Sequence, residues 1–169
     1  MMGAGKSSVG RLLAQRRGVS FIDLDDRVER LFGASVAALF EHGEAYFRAC
    51  ERAGLRSLLA EPGFAGSGAV VATGGGFVVD PANLDDVAGV ATTVYLELAP
   101  EVLAARLTTP EQRDARPLLA GDGPDALEAR LTGLLHARER AYRRATRCVD
   151  ANATPDEVAD RVEAALAAG

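Results

Sequence analysis

Gly3-Ala4-Gly5-Lys6-Ser7-Ser8 sets two glycines just ahead of a lysine and two hydroxyls. Small residues let successive backbone N–H groups curl around phosphate oxygens, and a helix starting at once aims the positive end of its dipole at them. Lys6 then supplies a compact point charge for the β- and γ-phosphates, and Ser7 offers its hydroxyl to Mg²⁺. The stretch matches the second half of the Walker A pattern, G-x-x-x-x-G-K-[ST]. The phosphate-binding set read from it is Gly3, Ala4, Gly5, Lys6, Ser7 and Ser8. A flexible glycine-rich terminus is the bland alternative, and a helical face beginning directly after Lys6 argues against it. Of the 19 lysines and arginines, Lys6 is the only lysine, which marks a position where arginine's planar fork does not fit.

Four further groups carry chemistry. Asp23 and Asp25 fall at the carboxyl end of an expected strand, two residues apart and so on one face. Two such carboxylates beside a phosphate loop serve a metal, through water, and an acceptor hydroxyl; helix capping by Asp25 or Asp26 explains them equally well. Arg48 and Glu51 lie one helical turn apart, so the acid can orient the guanidinium. Taken alone, an exposed ion pair worth about 0–1 kcal/mol accounts for them too. Gly74-Gly75-Gly76 bares backbone N–H groups with no Cβ in the way, more glycine than a tight turn requires. Arg116 stands in a proline-rich loop, where its bland role is a solvated charge. His42 and His136 have no partner at catalytic or metal spacing, and Cys50 reads as a small packing residue.

The elements that must position these groups follow from apolar periodicity. Val9, Leu12 and Leu13 mark one face of a helix from Ser7 to Arg17, closed by Gly18. Val19 to Asp25 reads as a strand. Ser35 caps a short helix through Phe40, and a longer one spans Glu44 to Leu59, ending before Pro62. Ala69 to Thr73 is a buried parallel-type strand, and Thr92 to Leu98 another, followed by a helix with Pro100 in its first turn. Thr108 to Pro124 is long for a passive connection and reads as a lid. A helix from about Asp125 to Arg144, a strand from Arg147 to Asp150 and a final helix follow. That helix opens on the capping box Thr154-Pro155-Asp156-Glu157 and buries Val158, Val162 and Leu166. Strands alternating with helices predict a three-layer α/β/α fold around a central parallel sheet. The expected organisation is a single domain, 1–169, with an acceptor-binding segment at about 26–60 and the lid at about 108–124.

The 169 residues, 48% hydrophobic and 25% charged, fit one ordinary globular domain and exclude disordered and fibrous classes. The apolar runs are too short for a membrane span, and the first residues lack the apolar core of a signal peptide. Cys50 and Cys148 show no metal-ligand spacing, so a reducing cytoplasm is the expected home. A net charge of -5 argues against a general nucleic-acid binder. A polyanion must therefore be met by a local cluster of cations.

Met2-Gly-Ala-Gly-Lys-Ser-Ser-Val-Gly10, Phe21-Ile-Asp-Leu-Asp25, Phe47-Arg-Ala-Cys-Glu51, Ala72-Thr-Gly-Gly-Gly76 and Arg116-Pro-Leu-Leu119 occur in the order found in shikimate kinases. The resemblance runs from Met2 to the last helix. The phosphate loop alone is generic; the whole set in this order is far more specific. The resemblance implies a P-loop kinase fold and ATP-dependent phosphorylation of shikimate's 3-hydroxyl, a step in chorismate and aromatic amino-acid biosynthesis, with Mg²⁺ as cofactor. It implies that Asp25 contacts the shikimate hydroxyls and serves as, or positions, the base, and that Asp23 is linked to Mg²⁺ through water. Arg48 and Arg138 would bind the shikimate carboxylate, with Arg140 close in sequence to the second. Glu51 would hold Arg48, Gly74, Gly75 and Gly76 would contact substrate, and Arg116 would close on the reacting phosphates. Lys6, Asp25 and Arg116 form the expected catalytic set, Arg106 is placed loosely beside the adenine, and a monomer is expected.

The first Walker glycine and the strand that normally delivers the loop would precede Met1. We therefore expect a natural start about 6–10 residues upstream, one typical strand plus a turn. Two other readings stay open on the residues alone. One is a gluconate- or nucleotide-kinase-like enzyme sharing the cradle and lid. The other is a truncated, non-catalytic ligand-binding homologue.

Overall fold

The computed structural model describes residues 1–107 and 124–168. The expected lid, Arg116 included, lies outside them. From the phosphate-loop stretch the chain enters α1 (Lys6–Arg17), which ends on Gly18 in the left-handed conformation, as the sequence predicts. Short strand β1 (Phe21–Asp23) follows and passes without a loop into α2 (Leu24–Phe32). Then come α3 (Val36–Glu41), capped by Ser35, α4 (Glu44–Leu59) and β2 (Val70–Ala72). After a 3₁₀ turn at Phe77–Val79 lie α5 (Pro81–Val87), β3 (Val94–Glu97) and α6 (Pro100–Arg106). Beyond the undescribed stretch come α7 (Pro124–Tyr142), β4 (Arg147–Asp150) and α8 (Pro155–Ala167).

The strands pair in parallel, β1 on β2 with Asp23 opposite Ala72, and β3 on β4 with Glu97 opposite Asp150. Parallel pairing with helical crossovers is the expected α/β arrangement. Among the described residues it forms two separate two-stranded sheets, because β2 and β3 do not hydrogen-bond to each other.

One correction bears on the site. The strand expected at Val19–Asp25 stops at Asp23, whose carboxylate accepts the N–H of Asp25 at 3.1 Å and so caps α2. Leu24 and Val28, four residues apart and fully buried, supply the apolar stripe that makes helix preferable to strand here. Asp25 therefore stands in the first turn of α2. It does not share a strand face with Asp23, and the cap is Asp23 rather than Asp25 or Asp26.

Among the described residues, apolar burial divides into one large and two small clusters. The large one joins α1, β3, β4, α6, α7 and α8 through residues such as Leu13, Leu96, Leu103, Leu131 and Val158. One small cluster gathers Leu24, Leu55, Phe77, Leu84 and Val87, and the other Val28, Leu39, Phe47 and Cys50. Cys50 thus packs as a core residue, as expected. Helices α2 and α4 cross closely: a Cβ on Gly54 would lie 2.7 Å from Val28 Cγ2. That closeness fixes the buried face of α4, and with it where Arg48 and Glu51 point. On α8 the capping box forms with both of its hydrogen bonds. Val158 and Val162 are buried and Leu166 half-buried.

Candidate functional site

A cavity of about 390 Å³ opens where the N-terminus of α1, the carboxyl ends of β1 and β2 and the start of α4 converge. Ligands gather outside the carboxyl ends of strands in parallel α/β folds, and this volume is in the range of small-molecule sites.

One wall is the phosphate loop. Gly3 and Gly5 hold φ of 74° and 84°, a left-handed geometry that side chains resist. Gly3, Gly5, Lys6, Ser7 and Ser8 line the cavity. Ala4 is buried in the large core, behind the loop rather than on its surface. Lys6 Nζ donates to the Met1 carbonyl at 2.7 Å, which bends the lysine back over the loop. Ser7 Oγ donates to Asp23 Oδ2 at 2.7 Å. The two residues named for Mg²⁺ thus share one spot, a hydroxyl beside a carboxylate at a helix N-terminus. Such hard oxygen donors suit Mg²⁺, which keeps most of its waters and takes one or two protein oxygens.

The opposite wall belongs to α4 and the glycine run. Arg48 Nη1 donates to Glu51 Oε2 at 2.9 Å, and Glu51 is fully buried. The Arg48 guanidinium also lies over the Phe47 and Phe40 rings, 5.0 and 5.7 Å from their centroids. Those two rings stack with centroids 4.3 Å apart. Gly74, Gly75 and Gly76 take no left-handed φ, so turn geometry does not demand them. Space does. A Cβ at Gly74 would stand 2.9 Å from Asp25 Oδ1 and from Glu51 Oε1, one at Gly75 2.7 Å from the Met2 nitrogen, and one at Gly76 inside the Arg48 guanidinium, 2.6 Å from Cζ.

Between the walls stands Asp25. Burial is the main cause that pushes its carboxyl up from the ordinary aspartate range, and the Asp23 charge adds to it. Glu51 is pushed up as well, again mainly by burial, although Arg48 pulls the other way. Asp25 Oδ1 and Glu51 Oε1 are buried with no hydrogen-bond partner among the described residues.

Of the two arginines near the end of α7, Arg138 is buried and Arg140 exposed, so only Arg138 faces inward. Its Nη2 lies 3.8 Å from Glu44 Oε1, and its buried Nη1 has no hydrogen-bond partner among the described residues. Arg106 lines the cavity and donates to the carbonyls of Ala151 and Ala153 at 3.1 and 3.3 Å. His136 is exposed, while His42 ends α3 and meets the Tyr46 ring at 5.1 Å.

Sequence reasoning passed over Glu44 and Tyr142. Glu44 sits four residues before Arg48, a spacing that signals an i,i+4 ion pair, but its approach to Arg138 has no local signal. Tyr142 donates its hydroxyl to the Gly75 carbonyl and stacks on Tyr95, the centroids 4.9 Å apart, tying α7 to the glycine run. Only the fold brings those segments together.

Comparison with known proteins supplies an independent line. A family model described as Shikimate kinase matches residues 2–167. The chain is 37% identical over 163 residues to a shikimate kinase of Caldanaerobacter subterraneus, covering 95% of this chain and 89% of that one. It is 39% identical to a shikimate kinase of Ruegeria pomeroyi over 99% of this chain and 82% of the relative. Among solved structures, shikimate kinase from Bacteroides thetaiotaomicron superposes with a TM-score of 0.86 at 32% identity, covering 98% of this chain and 94% of that one. Shikimate kinase from Acinetobacter baumannii in complex with shikimate also gives 0.86 at 32% identity, over 99% and 89% of the two chains.

Proposed function

The chain belongs to the shikimate kinase family, and from that membership we infer that it transfers the γ-phosphoryl group of ATP to the 3-hydroxyl of shikimate, giving shikimate 3-phosphate and ADP. The observation that carries this reading is the composition of one cavity. A phosphate loop forms one wall, an arginine held by a buried acid forms the other, and a carboxylate with a raised pKa stands between them.

Phosphoryl transfer asks little covalent help of a protein; positioning and charge stabilisation do most of it. Backbone N–H groups of the loop and the Lys6 ammonium hold the β- and γ-phosphates. Arg48, oriented by Glu51, grips the acceptor's carboxylate with its planar fork, and Arg138 is the second cation on that group. Gripped there, the acceptor turns its hydroxyl toward Asp25, which orients it and takes its proton. Arg116 belongs to this reading as the lid cation that meets the transferred phosphoryl group. Ser7, and Asp23 through water, are the residues that would hold Mg²⁺, which when bound neutralises charge on the phosphates. Closure of the segment at about 108–124 over the cavity would exclude water and so suppress idle hydrolysis of ATP.

The described helices include none long and apolar enough to cross a membrane. A monomer working in the cytoplasm on two small molecules, without nucleic acid or membrane, completes the proposal. A coupled ADP-release assay tests it: ADP appears at a rate that saturates with added shikimate. Equal rates with and without shikimate would refute it, and gluconate or a nucleoside monophosphate in its place identifies the rival acceptors.

A further inference from the structure

Glu44 Oε1 stands between Arg48 and Arg138, the two arginines assigned above to the acceptor's carboxylate. Its Oε1 accepts from Arg48 Nη2 at 2.9 Å and from Nε at 3.3 Å, so one side of the guanidinium fork is used. The same oxygen lies 3.8 Å from Arg138 Nη2. Glu51 holds the fork's remaining nitrogen, Nη1, from the core side. Among the described residues Glu44 is the one acid within 4.0 Å of both arginines, so a ligand carboxylate that bridges Arg48 and Arg138 competes with it.

Burial explains why the place is filled. The Arg48 and Arg138 side chains are only 12% and 9% exposed, so little water reaches them to stand in for a counter-ion, whereas Glu44 is 43% exposed. Buried charges demand pairing. Arg138 Nη1, buried and without a hydrogen-bond partner among the described residues, is a donor this stand-in leaves unsatisfied. Glu44 and an incoming carboxylate cannot share the spot, since like charges at contact distance repel.

We propose that Glu44 is an internal, displaceable counter-ion that competes with the acceptor's carboxylate for Arg48 and Arg138, so that acceptor binding swings Glu44 out to solvent. This rests on the functional reading above. It makes Glu44 a residue that sets acceptor affinity: it keeps the two arginines paired when the site is empty and weakens every carboxylate ligand by the strength of its own ion pair.

The test compares the full chain with Glu44→Gln, which keeps shape and hydrogen bonding but drops the charge. Calorimetric titration with shikimate, without nucleotide, is expected to show binding about twofold to fivefold tighter in the variant, the range of one partly exposed ion pair. The corresponding carboxamide of shikimate, which carries no charge, should show no such gain. Equal or weaker shikimate binding by the variant would overturn the proposal, leaving Glu44 as a residue that merely orients Arg48. A crystal structure of the unaltered chain with shikimate gives a second readout that does not depend on the variant folding. Glu44 turned away from both guanidinium groups supports displacement; Glu44 still bonded to Arg48 beside bound shikimate overturns it. Absence of any saturable shikimate binding to the unaltered chain defeats the functional reading itself and this inference with it. Binding without a difference between the two chains defeats only the inference.

Discussion

Asp25 and Glu51 meet over Gly74, each presenting to it a buried carboxylate oxygen with no hydrogen-bond partner among the described residues. One acid comes from the first turn of α2 and the other from the middle of α4, and the crossing of those helices at Gly54 sets their spacing. Both are pushed up from their ordinary values of 3.8 and 4.5, mainly by burial. The pair costs stability, a common feature of sites built for chemistry.

The cost has a pH signature. An acid whose pKa rises on folding is more protonated in the folded chain than in the unfolded one between the two values. Its advantage to folding is full below the ordinary value and is lost as pH climbs through the raised one. Asp25→Asn should therefore raise the melting temperature at pH 7 by roughly 2–4 °C for each kcal/mol relieved. The gain should vanish below about pH 3.8, the ordinary aspartate value. Turnover should fall by about 10²–10⁴, the usual worth of a positioned base. In the unaltered chain the acid limb of the rate profile should lie above pH 3.8. Thermal melts at both pH values and a pH–rate profile check this.

Space at the glycine run is equally testable. Gly74→Ala forces a methyl between two carboxylates and should cost about 1–3 kcal/mol together with turnover. Gly76→Ala pushes on the Arg48 guanidinium and should raise KM for shikimate more than KM for ATP. Gly133, in α7, has nothing within 4 Å of a Cβ. There alanine should stabilise by up to about 1 kcal/mol, the ordinary helix preference. Melting temperatures and both KM values for the three variants decide it.

Arg48→Ala and Lys6→Met divide the labour. The first removes the carboxylate grip and should raise KM for shikimate by about 10²-fold, the loss expected for a charged hydrogen-bonded contact. The second removes charge beside the transferring phosphoryl group and should lower kcat. Equal effects of both variants on ATP affinity alone would refute this split.

The proposed role of Ser7 and Asp23, 2.7 Å apart, in holding Mg²⁺ predicts metal dependence. Chelation of Mg²⁺ should abolish phosphoryl transfer. Ser7→Ala should shift the Mg²⁺ concentration for half-maximal rate upward by about tenfold, the loss of one oxygen contact worth about 1.4 kcal/mol. A Mg²⁺ titration of both chains reads this directly.

What is legible in the sequence is local order. The phosphate loop, the caps at Ser35 and Thr154, α4 from Glu44 to Leu59 and β4 from Arg147 to Asp150 are legible because turn chemistry, capping and periodicity act within a few residues of each other. The Arg48–Glu51 pair is legible for the same reason, since three residues make one helical turn. Where two local signals competed, at Ile22 to Asp25, the strand reading ran two residues too far, because the cap at Asp23 outweighs strand propensity.

Tertiary structure decided the rest. It buried Arg138, left Arg140 exposed, and brought Glu44 of α4 near Arg138 of α7. It also made Gly74, Gly75 and Gly76 necessary for room rather than for a turn. None of these is written in sequence spacing, because each depends on how far one segment of the chain stands from another. Burial does the remaining work: a carboxyl that is an ordinary acid at the surface holds its proton to higher pH when the fold removes its water.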